Sequence, residues 1–386
     1  MPTDEAAQVL RILDYMRERR PDITDLIRTL VEIESPTGEK AGVDRVADEV
    51  AGFASRFASV RRYSQPEYGD HLRLELDIPS QGKGQILGLG HMDTVWDVGT
   101  LKRMPWREEE GRLWGPGVFD MKSGLVYMLF AALALRDLDL KARRRFVVQL
   151  VSDEEVGSPT STQLTRAEAG RSAAVIVAEP SAGLAGDVKT ARKGGGTYRV
   201  EARGVASHAG LDFGAGASAV LEIAEQIRRI ASWTDLERGL TVNPGVVRGG
   251  TASNVVAERA RVDVDVRIAA REQAQEIDRR FRRIEALDPR CEVRVTGGIR
   301  KTPLERTDDV VRLYELARSI SEVMGVGLGE ASVGGGSDGN TTAAMGIPTL
   351  DGLGAVGEGA HATHESILID RIADRAALIA ALVLRL

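Results

Sequence analysis

The sequence predicts an α/β catalytic domain, a mixed and mostly parallel sheet covered by helices, interrupted by an inserted βαββαβ, ferredoxin-like domain. Three observations lead there. The chain has 386 residues, long for one core, so two domains are expected. Short apolar runs alternate with helical patterns up to about residue 180 and again after Gly298, the rhythm of a sheet buried on both faces. In between, Val262, Val264, Val266 and Ile268 alternate with Arg261, Asp263, Asp265 and Arg267, a strand with one wet face. The first domain reads as 1–194 and 299–386 and the insert as 195–298, with glycine runs 194–196 and 297–298 as hinges.

Thr3 opens a helical pattern that stops at Pro21, and a second runs from Asp22 toward Ile33, ended by Ser35-Pro36-Thr37-Gly38. Val43, Val46, Ala47, Val50, Phe53, Ala54 and Phe57 recur at three- and four-residue spacing, an amphipathic helix. Strands follow near Val60–Tyr63, His71–Leu76 and Ile86–Leu89. Residues 96–118 read as loop, and Asp120 leads into a helix from about Leu125 to Arg136 that is apolar nearly all round. Phe146–Val151 and Ala174–Ala178 read as central strands. The insert reads as strand 197–203, helix 216–232, strands 241–249 and 255–268, helix 271–286 and strand 291–297. A helix over Asp308–Met324, a glycine loop at 334–339, a short strand at Ile347–Leu350 and a last apolar helix complete the chain.

The net charge of −6, with both signs interspersed, argues against a nucleic-acid face. A single cysteine, Cys291, excludes an intrachain disulfide and fits a reducing compartment. Met1-Pro2-Thr3-Asp4-Glu5 has no signal-peptide pattern. The longest apolar stretch, Leu125–Leu135, is shorter than the about 20 residues that a bilayer needs. The expectation is a cytoplasmic protein with neither nucleic acid nor membrane as partner.

The chemistry gathers around Gly90-His91-Met92-Asp93-Thr94-Val95. His91 and Asp93 follow the Ile86–Leu89 strand, where open α/β sheets place ligands. Four other places offer metal donors: Asp120; Asp153-Glu154-Glu155 after the strand ending at Val151; Glu179 in Ala178-Glu179-Pro180-Ser181; and Gly359-Ala360-His361-Ala362-Thr363-His364-Glu365. Each has an ordinary alternative, such as a carboxylate at a helix N-terminus for Asp120 or a solvated loop for the acid run. Adjacent carboxylates at a buried strand end nonetheless call for a cation. Nitrogen and oxygen donors of this kind suit zinc, with two ions sharing a carboxylate.

Six ordered motifs resemble the dinuclear zinc amidohydrolases and peptidases that include carboxypeptidase G (glutamate carboxypeptidase), acetylornithine deacetylase, succinyl-diaminopimelate desuccinylase and aminoacylase. They are Gly90–Val95, Gly117-Val118-Phe119-Asp120-Met121-Lys122, Glu154-Glu155-Val156-Gly157-Ser158, Glu179-Pro180-Ser181, Gly204-Val205-Ala206-Ser207-His208-Ala209-Gly210 and Gly335-Gly336-Ser337-Asp338-Gly339-Asn340. Gly115-Pro116-Gly117 and Gly352-Leu353-Gly354 lie nearest the carboxypeptidase G branch. Ser181 and Ser123 stand where Thr and Gly are common in the family, and neither change removes a donor.

By that resemblance Asp120 bridges two Zn2+ per subunit, with Co2+ or Mn2+ as possible substitutes. His91 and Glu179 complete one site, and Glu155 and His361 the other, with His364 as the alternative to His361. Asp93 orients the ring of His91, and the Asp120–Met121 peptide is cis. Glu154 is the general base on a water bridging the metals. His208 reaches the active site of a second subunit to stabilise the tetrahedral oxyanion, which makes the insert a lid and dimerisation domain of a homodimer. Lys193, Asn254 and Arg267 bind substrate carboxylates. The implied reaction is hydrolysis of an amide bond that releases a C-terminal amino acid, glutamate foremost, from a peptide or N-acyl conjugate. An N-acyl-amino-acid deacylase with a neutral side chain stays open, as does a catalytically silent metal-binding protein. A nucleotide cradle at Gly334-Gly335-Gly336 lacks the following Lys-Ser/Thr.

Overall fold

The computed structural model describes residues 2–82 and 84–386. The chain divides into two compact units. One comprises the chain up to Ala191 together with Arg306–Val333 and Ser337–Leu386; the other comprises Arg192–Glu305 with Gly334–Gly336.

In the first unit, β1 (Ala58–Tyr63), β2 (His71–Leu76), β3 (Gln85–His91), β4 (Arg145–Val151), β5 (Ser172–Val177) and a short strand at Thr349–Leu350 form one sheet. Their order is β1-β2-β4-β3-β5 and then the short strand. β3 pairs parallel with β4 and β5, and β2 pairs antiparallel with β1 and β4, so only β2 runs against the others. Every residue of β3 is buried. Leu87 and Leu89 join a small cluster with Val147, Val175 and Val177, while Ile86 and Val148 belong to the larger core. Burial on both faces removes the alternation that a half-wet strand would show.

The larger core is built by α1 (Thr3–Glu18), α2 (Arg20–Val31), α3 (Lys40–Ala54), α4 (Ser123–Asp137) and the C-terminal helix Ile372–Arg385. α4 lies close on β3 because two positions lack side chains. A Cβ at Gly90 would stand 2.5 Å from Leu125 Cδ2, and one at Gly124 would collide with the Ala178 carbonyl oxygen. The start of α4 is thereby drawn to the ends of β3 and β5. With the turn before it, Val118–Asp137 is long and apolar enough by composition to cross a membrane, but it is buried inside the unit as a core helix.

Residues 96–118, expected as loop, hold the hairpin Arg107–Glu109 with Arg112–Trp114. Its second strand pairs with Ser366–Leu368, which pairs with Gly357–Glu358. Strands of three residues are too short to show a period, which is why the pattern missed them.

In the second unit, β6 (Gly194–Arg203), β7 (Thr241–Gly249), β8 (Arg259–Ile268) and β9 (Glu292–Lys301) form an antiparallel sheet in the order β7-β8-β6-β9. With helices Ala219–Ala231 and Arg271–Arg282 the chain order is βαββαβ, as expected. Tyr198, Val200, Val262, Val264 and Val266 pack with Ile223, Ile230, Ile277 and Phe281. The glycine runs are not hinges. They lie inside β6 and β9, where Gly196 pairs with Ile299 and Gly297 with Tyr198. A Cβ at Gly196 would stand 2.6 Å from Ile299 Cα, so these residues let two strands approach. The expected strand 255–268 is also divided: Val255–Val256 pairs with Ser207–His208 in a separate ribbon.

Candidate metal centre

Because β4, β3 and β5 are adjacent and parallel, their C-terminal ends share one edge of the sheet. β3 ends on His91. β4 ends at Val151 and is followed by a short turn that starts with Glu154 and Glu155. β5 ends at Val177, two residues before Glu179. Asp120 sits in the turn just before α4, and His361 in the loop between the paired strands Gly357–Glu358 and Ser366–Leu368.

These elements bring five donors into two groups, His91, Asp120 and Glu179 in one and Asp120, Glu155 and His361 in the other, with the donor atoms of each group within 4.8 Å of one another. His91 Nε2 is 3.2 Å from Asp120 Oδ1 and 3.5 Å from Glu179 Oε1. His361 Nε2 is 3.4 Å from Asp120 Oδ2 and 3.3 Å from Glu155 Oε2. Asp120 thus turns one oxygen toward each group. The Asp120–Met121 peptide bond is cis.

Residues 88–385 match the family described as peptidase family M20/M25/M40. The chain belongs to this family. It is a hydrolase of the peptidase and amidohydrolase kind. It is 27% identical over 354 residues to carboxypeptidase G2 of Pseudomonas sp. strain RS-16, covering 89% of this chain and 84% of that one. It is 29% identical over 256 residues to acetylornithine deacetylase of Myxococcus xanthus, covering 63% of this chain and 65% of that one. Its fold is similar to that of the aminopeptidase PepT of Bacillus cereus, with a TM-score of 0.81 at 20% identity over 94% of this chain and 98% of the other. It is also similar to the YxeP protein of Bacillus subtilis, described as a dinuclear metal binding peptidase from the M20 family, with a TM-score of 0.71 at 12% identity over 95% and 98% of the two chains.

Electrostatics in this M20 chain follows from five donors crowded at a strand edge. Burial opposes a charge on His91, yet hydrogen bonding to Asp120, Asp93 and Glu179 raises its pKa well above the usual imidazole value. His361 is pushed up to about 10, by Asp120 first and Glu155 next. Burial opposes the charge on Asp120 too, but His361 and His91 hold its carboxyl below the usual range. The carboxylates therefore recruit protons onto the imidazoles, and a divalent cation would compete for the same atoms.

Asp93 meets the ring of His91 with both its backbone and its side chain. The ring Nδ1 lies 2.9 Å from the backbone carbonyl of Asp93 and 3.5 Å from the carboxylate. A proton on Nδ1 donated to that carbonyl leaves Nε2 as the donor atom facing the site. The Asp93 carboxylate also accepts from the Glu155 N–H at 3.2 Å, the Glu154 N–H at 3.4 Å and the Thr37 hydroxyl at 2.8 Å. Asp93 therefore orients two neighbours, the histidine through its carbonyl and the glutamate turn through its side chain.

Glu154 is half-buried in that turn and belongs to neither donor group. His364 is exposed and also lies outside both. His208, Asn254, Arg267 and Lys193 all lie in the second unit. His208 is exposed, and its Nδ1 accepts the N–H groups of Gly210 and Leu211 at 3.1 and 3.2 Å. The Asn254 carbonyl accepts the Ala209 N–H at 2.9 Å, which ties it to the same loop. Arg267 is exposed and makes a two-pronged pair with Asp265 at 2.9 and 3.0 Å. Lys193 is partly buried.

Two residues to which the sequence reading gave no role stand beside the centre. Lys122 is buried and donates to the carbonyls of Leu30 at 2.9 Å and Ile33 at 2.7 Å; burial pulls its amine down to about 7. Glu365 is buried next to the loop that bears Asp120, and burial pushes its carboxyl up to about 7. Both stand in stretches that the sequence marked, Lys122 two places beyond Asp120 and Glu365 four places after His361, but neither was given a role there.

Proposed function

We propose that this M20 hydrolase carries two zinc ions and releases a C-terminal amino acid, glutamate foremost, from a peptide or N-acyl conjugate. The observation that carries the proposal is the spacing around Asp120. The four imidazole–carboxylate separations run from 3.2 to 3.5 Å. That is longer than a charge-assisted hydrogen bond of about 2.7–2.9 Å. It matches the edge of a zinc tetrahedron, ~3.3 Å for bonds of about 2.0–2.1 Å. His91, Asp120 and Glu179 would hold one ion and Asp120, Glu155 and His361 the other, and Co2+ or Mn2+ would find the same donors acceptable.

Bound zinc supplies Lewis acidity and a water of lowered pKa. Glu154 takes the proton of the attacking water and passes it to the departing nitrogen, so that a C–O bond forms, the C–N bond breaks, and a carboxylic acid and an amine leave. The hold of Asp93 on the Glu154 and Glu155 N–H groups supports this, since it fixes base and ligand in one turn. His208 acts as the oxyanion donor. Its Nδ1 already accepts two N–H groups, so Nε2 carries the proton and can donate. In this proposal the inserted unit is a lid and dimerisation domain, and His208 serves the site of a second copy.

Lys193, Asn254 and Arg267 bind the substrate carboxylates. Charge supports this: the stretch 192–305 has 20 Lys and Arg against 16 Asp and Glu, a net +4 in a chain of net −6. A buried, unpaired Cys291 supports a reducing, cytoplasmic setting.

The test is metal analysis of the purified chain together with hydrolysis rates on N-acyl-Glu and N-acyl-Leu. Two metals per chain and a preference for the Glu substrate are expected. A faster rate on N-acyl-Leu would favour the neutral deacylase. Two bound metals with no turnover across a broad N-acyl amino acid panel would leave a silent metal-binding protein and overturn the proposal.

A further inference from the structure

We infer that Glu365 is a positioning residue for the metal centre: it sets the Asp120 carboxylate between the two donor groups by gripping the backbone that carries it. The inference rests on the metal-binding reading of Asp120.

Glu365 is 1% exposed and receives four donors. Its Oε1 accepts the N–H of Phe119 at 2.9 Å and of Asp120 itself at 3.0 Å. Its Oε2 accepts the N–H of Gly117 at 2.8 Å and Trp96 Nε1 at 2.7 Å. Each oxygen thus serves two donors, an arrangement that only an acceptor at both positions can satisfy. A bridging carboxylate has to present one oxygen to each metal, so the placement of its backbone decides whether both bonds form. Three contacts within the four-residue Gly117–Asp120 turn fix that placement.

Glu365 also closes the loop that begins at Gly359 and carries His361. Within it the N–H of Ala362 donates to the Gly359 carbonyl at 2.8 Å, and the N–H of Glu365 to the Ala362 carbonyl at 3.0 Å. One short loop therefore delivers His361 with one residue and anchors Asp120 with another. Both belong to the second donor group, whose third member is Glu155. The first group shares Asp120, but its other two members, His91 and Glu179, come from the ends of β3 and β5 and not from this loop. Loss of Glu365 should therefore strike the second group harder than the first.

Glu365→Gln is nearly isosteric but puts an NH2 where two donors already point. The experiment titrates the metal-free wild type and Glu365→Gln with Zn2+ by calorimetry, checks the fold by circular dichroism, and measures kcat and KM. We expect the first zinc to bind as in wild type and the second about 10–100-fold more weakly, with kcat reduced and KM little changed. A folded variant that takes up two zinc ions with wild-type affinities overturns the inference alone. A wild type that takes up no zinc overturns the metal reading and this inference with it. Should Glu365→Gln fail to fold, Trp96→Phe removes a single donor from Oε2 and leaves the backbone contacts. A smaller loss at the second zinc is expected there, and unchanged affinity would refute the positioning role.

Discussion

The two units of this chain treat their functional side chains in opposite ways. In the first, His91, Asp93 and Glu179 are buried, and each has a partner far away in sequence. In the second, His208, Asn254 and Arg267 are exposed, and they are held by Gly210, Leu211, Ala209 and Asp265 of the same unit. The charges divide likewise: outside 192–305 the chain has 31 Lys and Arg against 41 Asp and Glu, a net −10, while the inserted stretch is +4. An acidic, buried edge is suited to a cation, and a basic, exposed surface to an anionic substrate. The contrast teaches that the candidate metal centre is assembled by folding, whereas the proposed substrate contacts would form only with a ligand. An exposed pair such as Arg267 with Asp265 can be exchanged for a substrate carboxylate at little cost, because such pairs contribute only about 0–1 kcal/mol.

The largest test removes the residue shared by both groups. Asp120→Ala should abolish turnover and lower metal content from two ions per chain toward none; a variant that still binds two ions would break the buried-centre half of the contrast. Glu154→Gln should keep both metals and lose about 10²–10⁴-fold in kcat, so normal activity in the metal-replete variant would remove its role as base. His361→Ala should lose one metal while His364→Ala keeps both, read by elemental analysis. On the exposed side, Arg267→Ala should leave metal content untouched and raise KM for N-acyl-Glu, since a hydrogen bond to a charged group is worth about 1.5–3 kcal/mol. An unchanged KM would show that the inserted unit does not read the carboxylate.

The smallest effect is on pH. The pKa of His361 is raised from 6.5 to about 10 in the folded chain. Its stabilising contribution is therefore fully present below pH 6.5 and is lost as pH rises toward 10. The melting temperature of the metal-free chain should fall across that interval, and that of the zinc-loaded chain should fall less, because coordinated imidazoles no longer carry the proton. Parallel curves would show that His361 does not share its site with a metal.

Much of this was legible in the sequence because it depends on local pattern. The strands that end at His91, Val151 and Val177 announce themselves as apolar runs, and His91, Glu154, Glu155 and Glu179 follow those runs within a few residues. The alternation in Arg261–Ile268 likewise places Arg267 on the wet face of β8. What tertiary structure alone decided concerns groups brought together from far apart. The sequence favoured His361 over His364 only by its place in the family's motif; the paired strands Gly357–Glu358 and Ser366–Leu368, docked on Arg112–Trp114, aim His361 at Asp120 and leave His364 outside. The glycine runs looked like hinges because flexibility and close approach ask for the same residue, and only strand register tells them apart. The division of Asp120's two oxygens between two groups, and the grip of Glu365 on its backbone from 245 residues away, are products of packing. The sequence by itself determined which side chains could bind a metal. The fold decided which atoms face one another, because a donor's direction is fixed by contacts that no local pattern encodes.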